Sequence, residues 1–165
     1  MLHHAYVGMG SNVGDRAGNL WLGVRGMLAA GLGVRRLSSV YETEPVGVTE
    51  AQPPYLNAVA ELDGALLPAP EQLLARLLRI EHALGRRRVR PLAPRTLDLD
   101  LLLYADARRE TALLTLPHPR LHQRRFVLAP LAELVPDARH PVLNQTFAQL
   151  LAALRDDAEV RVWKP

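Results

Sequence analysis

The segment Pro94-Arg95-Thr96-Leu97-Asp98-Leu99-Asp100-Leu101-Leu102 joins two carboxylates to a strongly apolar run. On a β-strand Asp98 and Asp100 point to one face, with their Cα atoms about 6.5–7 Å apart. Leu97, Leu99 and Leu101 then point to the other face, toward a core. Aspartate is depleted in strands, so two on one face of such a strand call for something positive opposite them. Hard oxygen ligands held this way suit Mg²⁺, which takes one or two carboxylates and fills its shell with phosphate oxygens and water. Solvated carboxylates, or Asp–Arg pairs with the neighbouring loop, are the competing reading of an isolated Asp-x-Asp.

The neighbours add to the pair. Arg86, Arg87, Arg88 and Arg90 precede the strand and Arg95 enters it. Guanidinium groups bind phosphate oxygens in pairs. Carboxylates able to hold a metal, set beside several arginines, are the parts of phosphoryl-type transfer. No Walker A sequence is present, and Gly8-Met9-Gly10 is too short a signal to stand for one. Further on, His118 is locked between Pro117 and Pro119 and followed by Arg120, His122, Arg124, Arg125 and Phe126. Proline on either side restricts the backbone and aims the imidazole; a turn histidine without a role is the alternative. Tyr55 and Asn57 share a strand face and could hold a flat heterocycle by stacking and paired hydrogen bonds, though such a pair is also ordinary sheet surface.

These residues need a scaffold, and the hydrophobic pattern supplies one. His4–Met9 reads as a strand closed by Gly10-Ser11-Asn12. Leu20, Trp21, Val24, Met27 and Leu28 place a helix over 19–30, stopped by Gly31 and Gly33. A single extended strand is predicted over 34–43, then a proline-rich loop over 44–54. Strand 55–63 puts Leu56, Ala58, Ala60 and Leu62 on one face and Tyr55, Asn57, Val59 and Glu61 on the other. Pro68 and Pro70 open a helix to about Leu84, with Gly85 at its C-cap. A strand over 96–104 follows the basic loop. The order is βαββαβ, the ferredoxin-like arrangement of an α+β fold: an antiparallel sheet flanked by helices. The C-terminal extension adds helices over 126–135 and 146–154 and a strand over 160–163.

The chain has 165 residues, within the range of one domain, 1–165. It has no cysteine, which excludes disulfides, cysteine-ligated zinc, iron–sulfur clusters and thiol catalysis. No apolar run approaches the ~20 residues of a membrane span, and the N-terminal stretch lacks the basic and apolar regions of a signal peptide. The expectation is a cytoplasmic protein with no membrane partner. The net charge of +3 is unevenly placed: residues 86–125 carry ten Arg against four acids, while residues 1–85 and 126–165 are slightly acidic. A basic middle favours phosphate-bearing partners, whether a nucleotide or a nucleic acid.

Together the segments resemble the 6-hydroxymethyl-7,8-dihydropterin pyrophosphokinases of folate biosynthesis. The matching pieces run in order over nearly the whole chain: Ala5–Asn12; Ser39-Val40-Tyr41-Glu42-Thr43 with Pro45; Tyr55-Leu56-Asn57-Ala58; Ile80-Glu81 with Leu84-Gly85-Arg86; Pro94–Asp100; and Leu116-Pro117-His118-Pro119 through Arg124 and Phe126. The resemblance implies an enzyme that moves pyrophosphate from ATP to the pterin hydroxymethyl group and releases AMP. It implies that Asp98 and Asp100 hold two Mg²⁺ ions. It gives Arg86, Arg95, His118 and Arg124 to the ATP phosphates or the leaving group, with Arg88 and Thr115 also on ATP. Thr43, Pro45, Val46, Tyr55, Asn57 and Phe126 would take the pterin, Tyr55 and Phe126 by stacking.

The chain departs from the family where Pro91-Leu92 replace a basic residue and a Trp, where Glu44 replaces Pro, and where Leu78 replaces a polar residue. The segment Arg86 to Pro94 is expected to act as a lid, and the protein to be a monomer that binds no nucleic acid. A non-catalytic RNA-binding module of ferredoxin-like topology is the alternative reading, but the aromatic clusters of such modules are missing and aromatics are 5% of the chain. A binding protein that retains only the fold is a third.

Overall fold

A computed structural model describes residues 3–48, 50–85 and 94–165. Strand β1, Ala5–Ser11, runs two residues further than its apolar pattern indicates. Helix α1, Arg16–Ala29, starts earlier than expected because the Asp15 carboxylate caps it, accepting from the Gly18 N–H. The predicted single strand over 34–43 is in fact two, β2 (Val34–Leu37) and β3 (Tyr41–Thr43). Ser38 interrupts it: its Oγ accepts the Val59 N–H and donates to the Ser39 carbonyl, taking over main-chain hydrogen bonding. Both pieces pair with β4, Tyr55–Leu62.

Helix α2, Pro70–Ala83, opens on proline, and strand β5, Asp98–Tyr104, follows. A small hairpin comes next, β6 (Arg109–Glu110) and β7 (Thr115–Leu116), which the residue pattern does not announce. Helices α3 (Arg125–Leu134) and α4 (Phe147–Ala153) and strand β8 (Val160–Val162) complete the chain.

The main sheet has the order β5-β1-β4-β3-β8, with β2 also on β4, and its pairings are antiparallel. Taking β2 and β3 as one interrupted strand, this is the ferredoxin-like order, extended at one edge by β8. Side-chain alternation divides the sheet between two cores. On one face α1 and α2 bring Leu20, Val24, Met27, Leu73 and Leu77 against Val7, Met9, Leu56, Ala58, Leu99 and Leu101. On the other, α3 and α4 bring Val127, Leu128, Leu131, Phe147 and Leu150 against Tyr6, Val59, Leu102 and Leu103. Helices therefore cover both faces, which removes the open aromatic platform an RNA-binding module of this topology uses.

One irregularity matters to the site. Tyr6 pairs with Leu103 and Val7 with Leu101, so Leu102 is an extra residue, a β-bulge in β5. Its carbonyl accepts the His118 N–H at 2.9 Å, which ties the proline-bracketed turn to the strand edge. The Leu116–Pro117 bond is cis. Among the described residues no helix is long and apolar enough to cross a membrane.

Candidate active site

Directly paired residues in an antiparallel ladder share a face. Gly8 pairs with Asp100, and Gly10 pairs with Asp98 on one side and Asn57 on the other. Both carboxylates and the amide therefore lie on the α3/α4 face, with two glycines between them. Helix cover over Tyr6, Val59 and Leu102 belongs to the rest of that face. The result is a hollow: two acidic residues along one wall, Tyr55 and Asn57 along the other, and a floor without side chains. A Cβ on Gly10 would lie 2.9 Å from Asn57 Oδ1 and 3.6 Å from Tyr55 Cδ1, so the amide and phenol lean over the glycine. At Gly8 the corresponding contact, with Leu102, is an ordinary 3.4 Å.

The wall of Tyr55 and Asn57 is tied to β3. Asn57 is buried and its Nδ2 donates to Thr43 Oγ1 at 2.8 Å, which fixes which end of the amide faces Gly10. Thr43 is buried beneath it on β3. Pro45 is half-buried and Val46 exposed in the loop after β3; among the described residues no hydrogen bond joins either to the charged groups.

On the opposite wall Arg95 Nη1 donates to Asp98 Oδ2 at 2.7 Å. Burial works against the Arg95 charge, but Asp98 beside it more than compensates and its pKa rises. The main chain of Arg95 is anchored twice on Asn12: Arg95 N–H donates to Asn12 Oδ1, and Asn12 N–H to the Arg95 carbonyl. Asn12 is fully buried, and its Nδ2 also donates to Gln52 Oε1 and the Pro53 carbonyl. One amide thus joins the end of β1, the end of the proline-rich loop and the entry to β5. Its place beside Gly10-Ser11 makes it look like a turn residue, and no periodicity marks it.

His118 stands at the outer edge of β5. Its Nδ1 accepts the Arg120 main-chain N–H at 3.2 Å, so the neutral ring carries its proton on Nε2. Burial, then the charges of Arg124 and Arg120, push its pKa from 6.5 down to about 4 against the pull of Asp98. The ring is a neutral hydrogen-bond donor at neutral pH. Arg124 closes the group from the start of α3. Burial and Arg120 depress its pKa, while Asp100 and Asp98 oppose them. Its guanidinium sits 5.6 Å from the centroid of the half-buried Phe126 ring, a cation–π contact.

Beside Asp100 and His118 a cavity of about 260 Å³ opens between β5, α2 and the β6–β7 hairpin. Thr115 lines it, with Leu74 and Leu78 on one side and Leu113 and Leu114 on the other. Glu81, buried on α2, accepts the Leu99 N–H at 2.7 Å and so satisfies the exposed edge of β5. A larger groove of about 570 Å³ between α3 and α4 contains none of the expected site residues.

The structure thus brings Asp98, Asp100, Arg95, His118 and Arg124 into mutual electrostatic reach, with Tyr55 also felt by Arg95. Arg86, Arg88 and the lid expected over Arg86 to Pro94 fall outside the described residues, save for Pro94 itself. Among the described residues no third His, Cys, Asp or Glu joins Asp98 and Asp100 to complete a metal cluster. Two carboxylates over a side-chain-free floor, with cations around them, fit Mg²⁺ whose remaining ligands are phosphate oxygens and water.

The family described as 7,8-dihydro-6-hydroxymethylpterin-pyrophosphokinase (HPPK) matches residues 6–136. A 2-amino-4-hydroxy-6-hydroxymethyldihydropteridine pyrophosphokinase of Synechocystis sp. is 43% identical over 150 residues, covering 90% of this chain and 75% of the relative. One of Bacillus subtilis is 42% identical over 161 residues, covering 97% and 90%. Among solved structures, a Plasmodium falciparum HPPK-DHPS chain with STZ-DHP superimposes with a TM-score of 0.70 at 14% identity. It is matched over 90% of this chain, which spans 45% of that longer one.

Proposed function

This chain belongs to the HPPK family, and from that premise we propose that it transfers pyrophosphate from ATP to the hydroxymethyl group of 6-hydroxymethyl-7,8-dihydropterin, releasing AMP, in folate biosynthesis. The observation that carries the reading is the glycine-floored hollow, with carboxylates and cations on one wall and a buried amide and an aromatic ring on the other. It has the polarity a reaction between a triphosphate and a flat, hydrogen-bonding heterocycle requires.

In this reading Asn57, fixed by Thr43, reads the polar edge of the pterin, and Tyr55 and Phe126 bound its faces. The main chain of Thr43, Pro45 and Val46 completes that subsite. Asp98 and Asp100 would hold Mg²⁺, two ions in this reading, together with phosphate oxygens. Bound there, Mg²⁺ would supply charge neutralisation and Lewis-acid polarisation of the phosphates. The hydroxymethyl oxygen attacks the β-phosphorus, its proton passes to solvent, and the bond to the α,β-bridging oxygen breaks. Arg95 and Arg124 face the charge that accumulates on the phosphates, with Arg86 and Arg88 as further arms. His118, neutral with its proton on Nε2, donates a hydrogen bond to a phosphate oxygen instead of accepting a proton. Thr115 and the leucine-lined cavity hold the nucleoside. No covalent protein intermediate forms; positioning and electrostatics do the work. The enzyme acts on small molecules as a cytoplasmic monomer.

The test is AMP release from Mg-ATP, with and without the hydroxymethyl dihydropterin. Release that requires the pterin, and stops on chelation of Mg²⁺, supports the reading. An ATP turnover indifferent to the pterin overturns it.

A further inference from the structure

Arg120 was not among the residues expected at the site, yet it bears on two that were. Its charge is a cause of the depressed pKa of both His118 and Arg124, so it lies within electrostatic reach of each. Several other arginines of the described chain are engaged, while Arg25, Arg79 and Arg155, away from the site, also make no hydrogen bond or ion pair among the described residues. Arg95 is on Asp98, Arg16 and Arg161 are on Glu42, Arg35 and Arg36 are on Glu61, and Arg125 is on the Leu154 and Asp156 carbonyls. Arg120 is exposed, and among the described residues its guanidinium makes no hydrogen bond or ion pair. Arg124, its neighbour in the field, has only the Phe126 ring. Two like charges thus stand together, without carboxylate partners, beside a half-buried neutral imidazole. That arrangement costs the free protein something, and an anion between them would relieve the cost.

The position of the pair says which anion. His118 and Pro119, the residues just before Arg120, line the 260 Å³ cavity assigned above to the nucleoside. Asp100 lies at the same mouth. The phosphate nearest the nucleoside is the one on which the leaving group carries its charge.

We propose that Arg120 is a further substrate-binding residue of this reaction, supplying a mobile positive charge to the nucleoside-proximal phosphate, on the ATP that enters and the AMP that leaves. The inference rests on the reading of the site given above. It separates two roles of one residue. The main chain of Arg120 orients His118 through Nδ1, whereas its side chain acts on the phosphate as a charge. A substitution leaves the first in place and reports on the second. Because the group is exposed and not held in a fork, lysine serves nearly as well as arginine, unlike at a bidentate site.

The experiment is calorimetric titration of wild type, Arg120→Gln and Arg120→Lys with AMP and with the pterin, at low and at physiological ionic strength. Arg25→Gln, on the distant helix α1, is the control. Arg120→Gln is expected to weaken AMP about fivefold at low salt and to flatten the salt dependence of binding. Arg120→Lys is expected to restore most of the loss, and pterin binding to stay unchanged. AMP binding and salt dependence in Arg120→Gln equal to wild type would overturn the proposal. Failure of wild type itself to bind AMP would instead overturn the site reading on which it rests.

Discussion

The same sheet face carries two charged clusters of opposite design. At the end of β1 and β4 away from the hollow, Glu61 is 1% exposed and accepts from the Tyr6 hydroxyl at 3.0 Å and from Arg36 Nη2 at 2.6 Å, with Arg35 at 3.2 Å. Burial pushes the Glu61 carboxyl up, but its donors prevail and its pKa falls, while burial and the neighbouring carboxylate push the Tyr6 hydroxyl up. That cluster is closed: each charge is consumed within the protein. At the other end, Arg95 and Arg124 stand within electrostatic reach of Asp98 and Asp100, with Arg120 in reach of Arg124, and two of those three guanidiniums have no carboxylate partner among the described residues. Polar clusters built for stability satisfy themselves. One built for a ligand leaves charges over for it, and here a floor without side chains as well.

Substitutions at the two ends should therefore fail differently. Asp98→Ala or Asp100→Ala should lower pyrophosphate transfer by at least ~10²-fold in the AMP-release assay, since charge stabilisation at the phosphates is lost. The denaturant midpoint should fall far less than turnover, because relief of repulsion between the two carboxylates offsets part of what the lost Asp98–Arg95 pair costs. Near-wild-type turnover in Asp100→Ala would erase the distinction between the ends. Glu61→Ala should do the reverse: a loss of roughly 2–3 kcal/mol by urea titration, below the full buried-pair value because Arg35 and Arg36 can rehydrate, with turnover per folded molecule unchanged.

Gly10→Ala tests the floor itself. Its Cβ would stand 2.9 Å from Asn57 Oδ1, so the amide must turn, away from the pose proposed for reading the heterocycle. The pterin Kd should rise about tenfold while AMP binding is spared, because a buried polar edge is left poorly paired. Gly8→Ala, at 3.4 Å from Leu102, should do less. An equal effect at both positions would mean that strand disruption, not the hollow, is being measured.

Acid should expose the smallest difference. An unfolded histidine binds its proton near 6.5 and His118 near 4. Stability from this group is present above 6.5 and is lost as pH falls through about 4, because the unfolded chain binds more protons in that window. Glu61, with a pKa below its ordinary 4.5, loses its contribution only at lower pH. Urea midpoints of His118→Asn and wild type should converge as pH drops from 6.5 toward 4. Parallel curves would place His118 in water rather than in the site.

Much of this scaffold is legible in the residue pattern, and what is not has physical reasons. The alternation of Leu56, Ala58, Ala60 and Leu62 and the stripe of α2 survive because each buries one face on one core. The break at Ser38 does not show, since a single hydroxyl replacing a main-chain partner leaves no periodic trace. The β6–β7 hairpin is too short to have a period; Thr111, bonded to Leu114 in both directions, closes it. At the site, Asp98 and Asp100 are conspicuous as charges in an apolar strand. The hollow between them and Asn57 depends on β1 lying between β4 and β5 in register, which no local pattern encodes. Arg120 is equally hidden, because having no partner is a property of the folded surroundings.

The bulge at Leu102 has a bearing on how this strand tolerates length changes. Without it, strict alternation would send Leu103 to the α1/α2 core and Tyr104 to the other face. With it, Leu102 and Leu103 both serve the α3/α4 core, and Tyr104 returns to the first, where its hydroxyl donates to the Pro68 carbonyl at 2.8 Å. The strand thus carries two parities joined at one residue. Deletion of Leu102 removes the bulge and restores strict alternation, with Leu103 still facing α3 and α4, Tyr104 still facing α1 and α2, and Asp98 and Asp100 left on their side. An insertion between Asp98 and Leu101 inverts one carboxylate into the core. Lineages of such a chain can vary the far half of β5 by single residues, while the near half is confined to changes that preserve its count.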